Sequence, residues 1–239
     1  MTAVELSVVV PVKNEEANLE EFTTRLVETL EGCCGSAFQV VFAVDPSTDG
    51  SLRVLGRLKE RYAPRVEIVE TLSATGRSGM GPSLRAGFRA ATGKFVIKMD
   101  ADLSHDPKQV PHVLNALRAG HLLVVGSRYL PGQPRFRPTS RYFTSKLFSA
   151  LGRLVARCHL HDVTTGFLGF RRDLVGSIPL LSDGFEVHAE MNLKFAALLP
   201  KSLVKEVPIH YAKRTRGRSK MRYARAFFGY LRALFREVA

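Results

Sequence analysis

The run Gly93–Pro111 reads GKFVIKMDADLSHDPKQVP, and its first half decides the fold. Phe95–Met99 is a short apolar stretch broken only by Lys98, the pattern of a strand covered on both faces. Two acids, Asp100 and Asp102, follow at its end, and Ser104, Asp106 and Pro107 then suit a helix start. A strand covered on both faces belongs to a mostly parallel sheet. In such sheets ligands gather at the carboxyl ends of the strands, where these acids lie.

Outward from this run the same alternation repeats. Leu6–Val12, Phe38–Val44, Val66–Glu70 and Leu122–Gly126 read as further strands. After the first, Leu19, Phe22, Leu26 and Leu30 recur at helical spacing, with Asn14 as the N-cap. Helices also follow over Leu52–Tyr62 and Val110–Ala119, and the glycine-rich Thr75–Gly93 reads as a loop running into a helix. Short strands alternating with helices predict a doubly wound α/β domain, mostly parallel, with helices on both faces.

Beyond Gly126 the alternation stops. Ser127–Tyr142 is a loop rich in Pro, Arg and aromatics, of a length that is usually functional. Arg141–Arg157 reads as an amphipathic helix with Phe143, Leu147, Leu151, Leu154 and Val155 on one face. His161–Val175 reads as a turn and strand, Asp183–Leu199 as a helix, Lys213–Arg222 as a basic loop and Arg222–Val238 as a basic amphipathic helix. The net charge of +13 is localised. Seven Lys/Arg and no acid lie between Arg128 and His161, and nine with no acid between Lys213 and Arg236. Such patches suit phosphates of a nucleotide, a nucleic acid or an anionic lipid surface.

No apolar run approaches the length of a bilayer span, and no leader is visible, since Val8–Val12 is short and has no basic flank. The three cysteines form neither a disulfide framework nor a zinc spacing, which suits a reducing compartment, and a cytoplasmic location is expected.

Two readings of Asp100 and Asp102 stay open on residue chemistry alone. Two carboxylates beside an apolar strand repel unless a cation neutralises them, and hard oxygen ligands suit Mg²⁺ or Mn²⁺. The other reading is an Asx turn with a helix cap. Asp45 and Asp49 are likewise either turn formers or, at the end of a strand, contacts to a nucleoside. The glycines at 76, 79 and 81 match neither the dinucleotide fingerprint nor the P-loop, although a helix N-terminus there suits an anion.

Seven blocks, VVVPVKNEEANL, VDPSTDGS, GMGPSLRAGF, MDADLSHDP, GSRYLPG, DVTTGF and VPIHYAKRTRGRSKM, occur in the order and spacing of the inverting family 2 glycosyltransferases. More narrowly, the chain resembles the polyprenyl-phosphate (dolichyl-phosphate) mannosyltransferases from Leu6 to Met221. The resemblance implies a nucleotide-sugar-binding GT-A domain over 1–221, with a nucleotide-sugar half at 1–127, an acceptor half at 128–221 and the basic helix at 222–239. It implies transfer of a hexose, foremost mannose from GDP-mannose, to a polyprenyl phosphate at the cytosolic membrane face. Pro11, Val12, Asn14 and Glu15 would line the nucleoside pocket with Gly79 and Ala101, and Asp45 would reach the base. Asp100 and Asp102, with Ser104 as the third position, would hold Mg²⁺ or Mn²⁺ on the donor diphosphate. Arg128, Arg141, Arg214 and Lys220 match basic residues that hold phosphates or close over the site, and Glu190 matches an acidic helix position of undefined role.

The chain departs from the family pattern at Lys13, Val44, Pro46, Pro82, Ser104 and Leu168, so another donor sugar or a soluble acceptor is the alternative. The partners implied are the nucleotide sugar, the polyprenyl phosphate and the membrane surface, with a membrane-anchoring protein or self-association as a further expectation. Each basic helix either packs its apolar face on the domain or lies in the membrane interface. A nucleic-acid-binding module is the rival class, but it has no need of paired aspartates at a strand end.

Overall fold

The computed structural model describes residues 3–130, 140–155, 158–212, 216 and 228–231, with no side chain described at 140–142 or 155. Among the described residues seven strands form one sheet: β1 (Leu6–Val12), β2 (Phe38–Val44), β3 (Val66–Glu70), β4 (Phe95–Lys98), β5 (Leu123–Ser127), β6 (Leu168–Arg171) and β7 (Val204–Pro208). Their order is β3-β2-β1-β4-β6-β5-β7. Every pairing is parallel except those of β6, which runs antiparallel to both β4 and β5. The helices are α1 (Glu16–Cys34), α2 (Ser51–Arg61), the short α3 (Thr71–Thr75), α4 (Met80–Ala90), α5 (Val110–Arg118), α6 (Ser140–Val155) and α7 (Val187–Leu198).

The first five strands agree with the sequence reading to within one residue at either end. They are near-continuous apolar runs because both faces are covered. On one face, Leu6, Val8 and Val10 pack with Phe22 and Leu26 of α1, Leu55 of α2 and Leu114 of α5. On the other, Val9, Val41 and Val96 pack with Phe88 of α4, Phe148 of α6 and Met191 of α7. The expected α/β domain with helices on both faces is therefore present.

Three local readings change. Asn14 is not the cap of α1: it adopts φ 49°, and Glu15 takes the N-cap position. The residues read as one stripe of α6 divide, Phe143, Leu147 and Leu154 being exposed while Leu151 packs against the core with buried Phe148, next to Ser149. Strand β7 is absent from the strands read in the sequence, because VKEVP carries two charges in five residues. Of the segment 222–239, residues 228–231 are described and helical; the rest lies outside the described residues, as does 131–139.

α4 sits close to the sheet because Gly87 faces it. A Cβ there would stand 2.5 Å from Val9 Cγ1 and 3.3 Å from Ala43 Cβ. Gly87→Ala should therefore destabilise the protein by about 1–2 kcal/mol, overpacking outweighing the gain in helix propensity. Urea denaturation tests this, and an unchanged or raised midpoint would refute the close-approach argument.

Candidate active site

The chain leaves β1 for β2 and β3 on one side and returns to β4 on the other, so β1 and β4 are parallel neighbours at a topological switch point. Ligands of open α/β sheets bind in the crevice outside the strand ends at such a point. Pro11 and Val12 end β1, both buried, and Ala101 is buried just beyond β4. Asp45 follows β2, and its N–H donates to Val12 O at 2.8 Å.

The strand ladder of β4 stops at Lys98, and residues 101–104 turn, with Leu103 at φ 60°. Asp102 Oδ1 accepts from the N–H of Ser104 at 3.0 Å and from its hydroxyl at 2.5 Å. The Asx-turn reading thus holds for the geometry of Asp102, and Ser104 braces that carboxylate. Asp106 caps the next helical turn by accepting from Lys108 N.

Asp100 differs from Asp102. Its Oδ1 accepts from Lys98 Nζ at 2.6 Å, and that ammonium also lies 3.3 Å from His188 Nε2. Burial would raise the Asp100 pKa, but the Lys98 charge holds it well below the usual carboxylate range. Burial pushes His105 down to about 4 and, with Lys98 adding to it, His188 to about 3, so both rings are neutral at physiological pH. Asp100 and Asp102 supply hard oxygen donors at one strand end, a set that fits Mg²⁺ or Mn²⁺ when water and donor phosphate complete the shell.

At the end of β2, Asp45 is buried and accepts from Lys13 Nζ at 2.5 Å and from the N–H of Gly79 at 2.9 Å. Lys13 therefore meets Asp45 directly. Asn14 Oδ1 accepts from Thr48 N at 2.7 Å, and Glu15 N–H donates to Ser51 Oγ at 2.9 Å, which ties the loop after β1 to the loop after β2. Asp49 is the turn former of this pair, accepting from the N–H and hydroxyl of Ser51.

The glycine loop differs from its expected anion-binding form. The Gly81 N–H donates to Asp183 O at 3.0 Å, and the Gly79 N–H goes to Asp45. A Cβ on Gly79 would stand 2.5 Å from Asp183 O, and one on Gly81 would overlap Ser182 O. These glycines admit the 182–183 backbone, and their amides already have acceptors.

Arg128, expected to hold phosphate, forks onto buried Asp162, with Nε–Oδ2 at 2.6 Å and Nη2–Oδ1 at 2.8 Å, and also donates to Thr164 and Ser145. Burial opposes its charge, yet Asp162 holds its pKa above the ordinary arginine value. In this arrangement Arg128 is a strut joining the end of β5 to 162–164. The chain after β7 crosses the DADL turn: Ala212 N donates to Ser104 O at 2.9 Å, and Gln109 clamps His210 through both backbone groups. Arg216 then lies at the start of α1, donating to Ala17 O. Arg214 and Lys220 lie outside the described residues, as does the Arg141 side chain.

Glu190 acquires a role from the structure. It is fully buried on α7 and accepts from Leu181 N at 2.7 Å, Ser182 N at 2.8 Å and Lys194 Nζ at 2.8 Å. It thereby shapes the 181–183 backbone that receives Gly81, and Arg85 pins the same segment through Leu180 O, Ser182 O and Asp183. The i,i+4 spacing of Glu190 and Lys194 was a visible helical pair, but the backbone donors were not.

Residues 7–178 match the model of Glycosyl transferase family 2. A dolichol-phosphate mannosyltransferase from Pyrococcus furiosus is 30% identical over 97% of this chain, which spans 63% of that relative's length. An undecaprenyl-phosphate mannosyltransferase from Micrococcus luteus is 35% identical over 76% of this chain and 75% of its own. Among solved structures, a glucosyl-3-phosphoglycerate synthase from Mycobacterium tuberculosis, in complex with Mn²⁺, UDP and glucosyl-3-phosphoglycerate, superposes with a TM-score of 0.75. It is 19% identical, covering 98% of this chain and 80% of that one, and it shares the GT-A fold.

The Glu190 pKa is depressed: burial raises it, but Lys194 and the 181–182 amides outweigh burial. A depressed carboxyl stabilises the fold above its unfolded pKa, and that contribution is lost as pH falls through the folded value. Glu190→Gln should cost about 1–3 kcal/mol at neutral pH and progressively less in acid. Denaturation midpoints at neutral and acid pH check this; an equal loss at both would refute the assigned role.

Proposed function

This chain belongs to glycosyl transferase family 2, and from that premise we propose that it transfers mannose from GDP-mannose, with inversion, to a polyprenyl phosphate at the cytosolic membrane face. The observation that carries this reading is the pair Asp100 and Asp102 at the switch-point end of β4. Relatives named for mannosyl transfer to dolichol phosphate and undecaprenyl phosphate support the acceptor class.

In the proposed reaction an oxygen of the lipid phosphate attacks the anomeric carbon of mannose, and the bond to the nucleotide diphosphate breaks on the opposite face. The nucleophile is already an anion, so no strong general base is required. The difficulty lies in bringing two anionic substrates together and stabilising the departing diphosphate. Asp100 and Asp102, with Ser104 bracing the latter, would hold Mg²⁺ or Mn²⁺, which when bound neutralises charge on the leaving group. The Lys13–Asp45 pair would meet the nucleoside end, with Gly79, Gly81 and the Glu190-braced 181–183 segment beside it. Arg141, Arg214 and Lys220 are assigned to the acceptor phosphate and to closure of the site.

Access to a lipid acceptor has a candidate surface. Phe143, Leu147 and Leu154 are exposed on α6 beside Lys146 and Arg153, and Phe228 is exposed as well, while Tyr230 packs on Phe148 with ring centroids 5.0 Å apart. Apolar side chains flanked by cations suit an anionic membrane interface.

Purified protein with Mn²⁺, labelled GDP-mannose and a short polyprenyl phosphate should yield a lipid-linked mannose. Asp102→Ala should lower transfer at least about 10²-fold while leaving the circular dichroism spectrum intact. Product from UDP-glucose but none from GDP-mannose would overturn the donor, and product on a soluble acceptor alone would overturn the acceptor. Separately, the Leu147→Glu/Leu154→Glu double variant should lose co-sedimentation with anionic vesicles; undiminished binding would remove α6 from the membrane surface.

A further inference from the structure

Lys98 is wholly buried on β4, two residues before Asp100. Alternation along a strand directs residues 98 and 100 to the same face, the one covered by α4, α6 and α7. Burying an ammonium is costly unless partners compensate it, and here they do. Nζ donates to Asp100 Oδ1 at 2.6 Å and stands 3.3 Å from His188 Nε2, delivered by α7. With His188 neutral, Nε2 accepts that bond, which leaves the proton on its buried Nδ1. The loop before β6 closes the remaining side with Gly166. A Cβ at Gly166 would stand 2.6 Å from Lys98 Nζ, 3.2 Å from Asp100 Oδ2 and 3.3 Å from His188 Nε2. The glycine of the DVTTGF block is therefore the residue the ammonium needs above it.

We propose that Lys98 is a built-in cation of the catalytic crevice, a positioning residue that compensates Asp100 from beneath and leaves Asp102 as the carboxylate that chiefly answers to the divalent ion. Two acids one residue apart repel, and an ion between them is one remedy. Here half of the remedy is supplied by the strand itself, before any ion arrives. The Asp100 carboxylate is held in place without metal, and the protein charge facing the ion is reduced by one unit. Binding of the ion then relies more heavily on the donor diphosphate. The inference rests on the transferase reading only in taking Asp102 as a metal carboxylate.

The test is thermal melting of the full chain, with EDTA and with MnCl₂ alone, for the parent, Lys98→Met, Asp100→Asn and the double variant. In EDTA, Lys98→Met should melt lower by on the order of 5 °C, because it leaves the half-buried Asp100 carboxylate without its cation. The double variant should recover at least half of that loss. Mn²⁺ should raise the melting temperature of Lys98→Met more than that of the parent, and its Mn²⁺ affinity, read by electron paramagnetic resonance, should rise severalfold. A Lys98→Met protein that melts with the parent in EDTA, a double variant that loses the sum of the single losses, or weaker Mn²⁺ binding would each overturn the proposal. Should Lys98→Met fail to fold, the other two variants decide it: the double variant must melt above Asp100→Asn. No sugar donor or lipid enters these measurements, so the outcome is separable from that of the transferase assay.

Discussion

The parallel pairing of β1 with β4, from Leu6 against Phe95 to Val9 against Lys98, is the constraint from which the crevice follows. It brings the end of the first strand beside the end of the fourth, although some ninety residues separate them in sequence. The register is fixed at the opposite end by a buried polar network. Ser7 Oγ donates to Gln39 Oε1 at 2.7 Å, the Gly93 N–H donates to Ser7 Oγ at 2.9 Å, and the Thr92 N–H donates to Gln39 Oε1 at 3.0 Å. A slip of one residue would leave these groups unpaired in the core and turn Lys98 and Asp100 toward the wrong face. Hydrogen bonds far from the crevice thus determine where its carboxylates stand.

Much of this was legible in the residue order. Parallel strands buried on both faces are apolar throughout, so β1 to β5 declared themselves, and Asp45, Asp100 and Asp102 were recognisable as polar residues at strand ends. What stayed hidden depends on partners distant in sequence. Arg128 reads as a free cation until Asp162, thirty-four residues on, takes its fork. Lys98 reads as an interruption until His188 and Gly166 close around it. On α6 spacing alone does not say which apolar residues the domain covers: Phe148 and Leu151 turn inward while Phe143, Leu147 and Leu154 do not.

The glycines carry a similar lesson. Gly79 at φ 132° is a position where a side chain would be strained, and its motif invites a phosphate-cradle reading. In the fold, Gly79 and Gly81 instead make room for the main chain at 182–183, and their amides serve Asp45 and Asp183. Glycine marks close approach in either case; what approaches is decided by Glu190 and Arg85, which hold the opposing segment.

The reversal of β6 has a consequence for how the protein reaches its native state. Because β6 lies between β4 and β5, the edge of β4 next to the paired aspartates has no neighbour until Leu168–Arg171 docks. A nascent chain ending at residue 127 holds all five apolar strands, yet its fifth has no strand to join. The amino-terminal half alone therefore leaves β5 unpaired and one edge of β4 open. During synthesis that edge of β4 stays open for roughly forty further residues, and it is covered only after the first of the two acid-free basic segments has emerged.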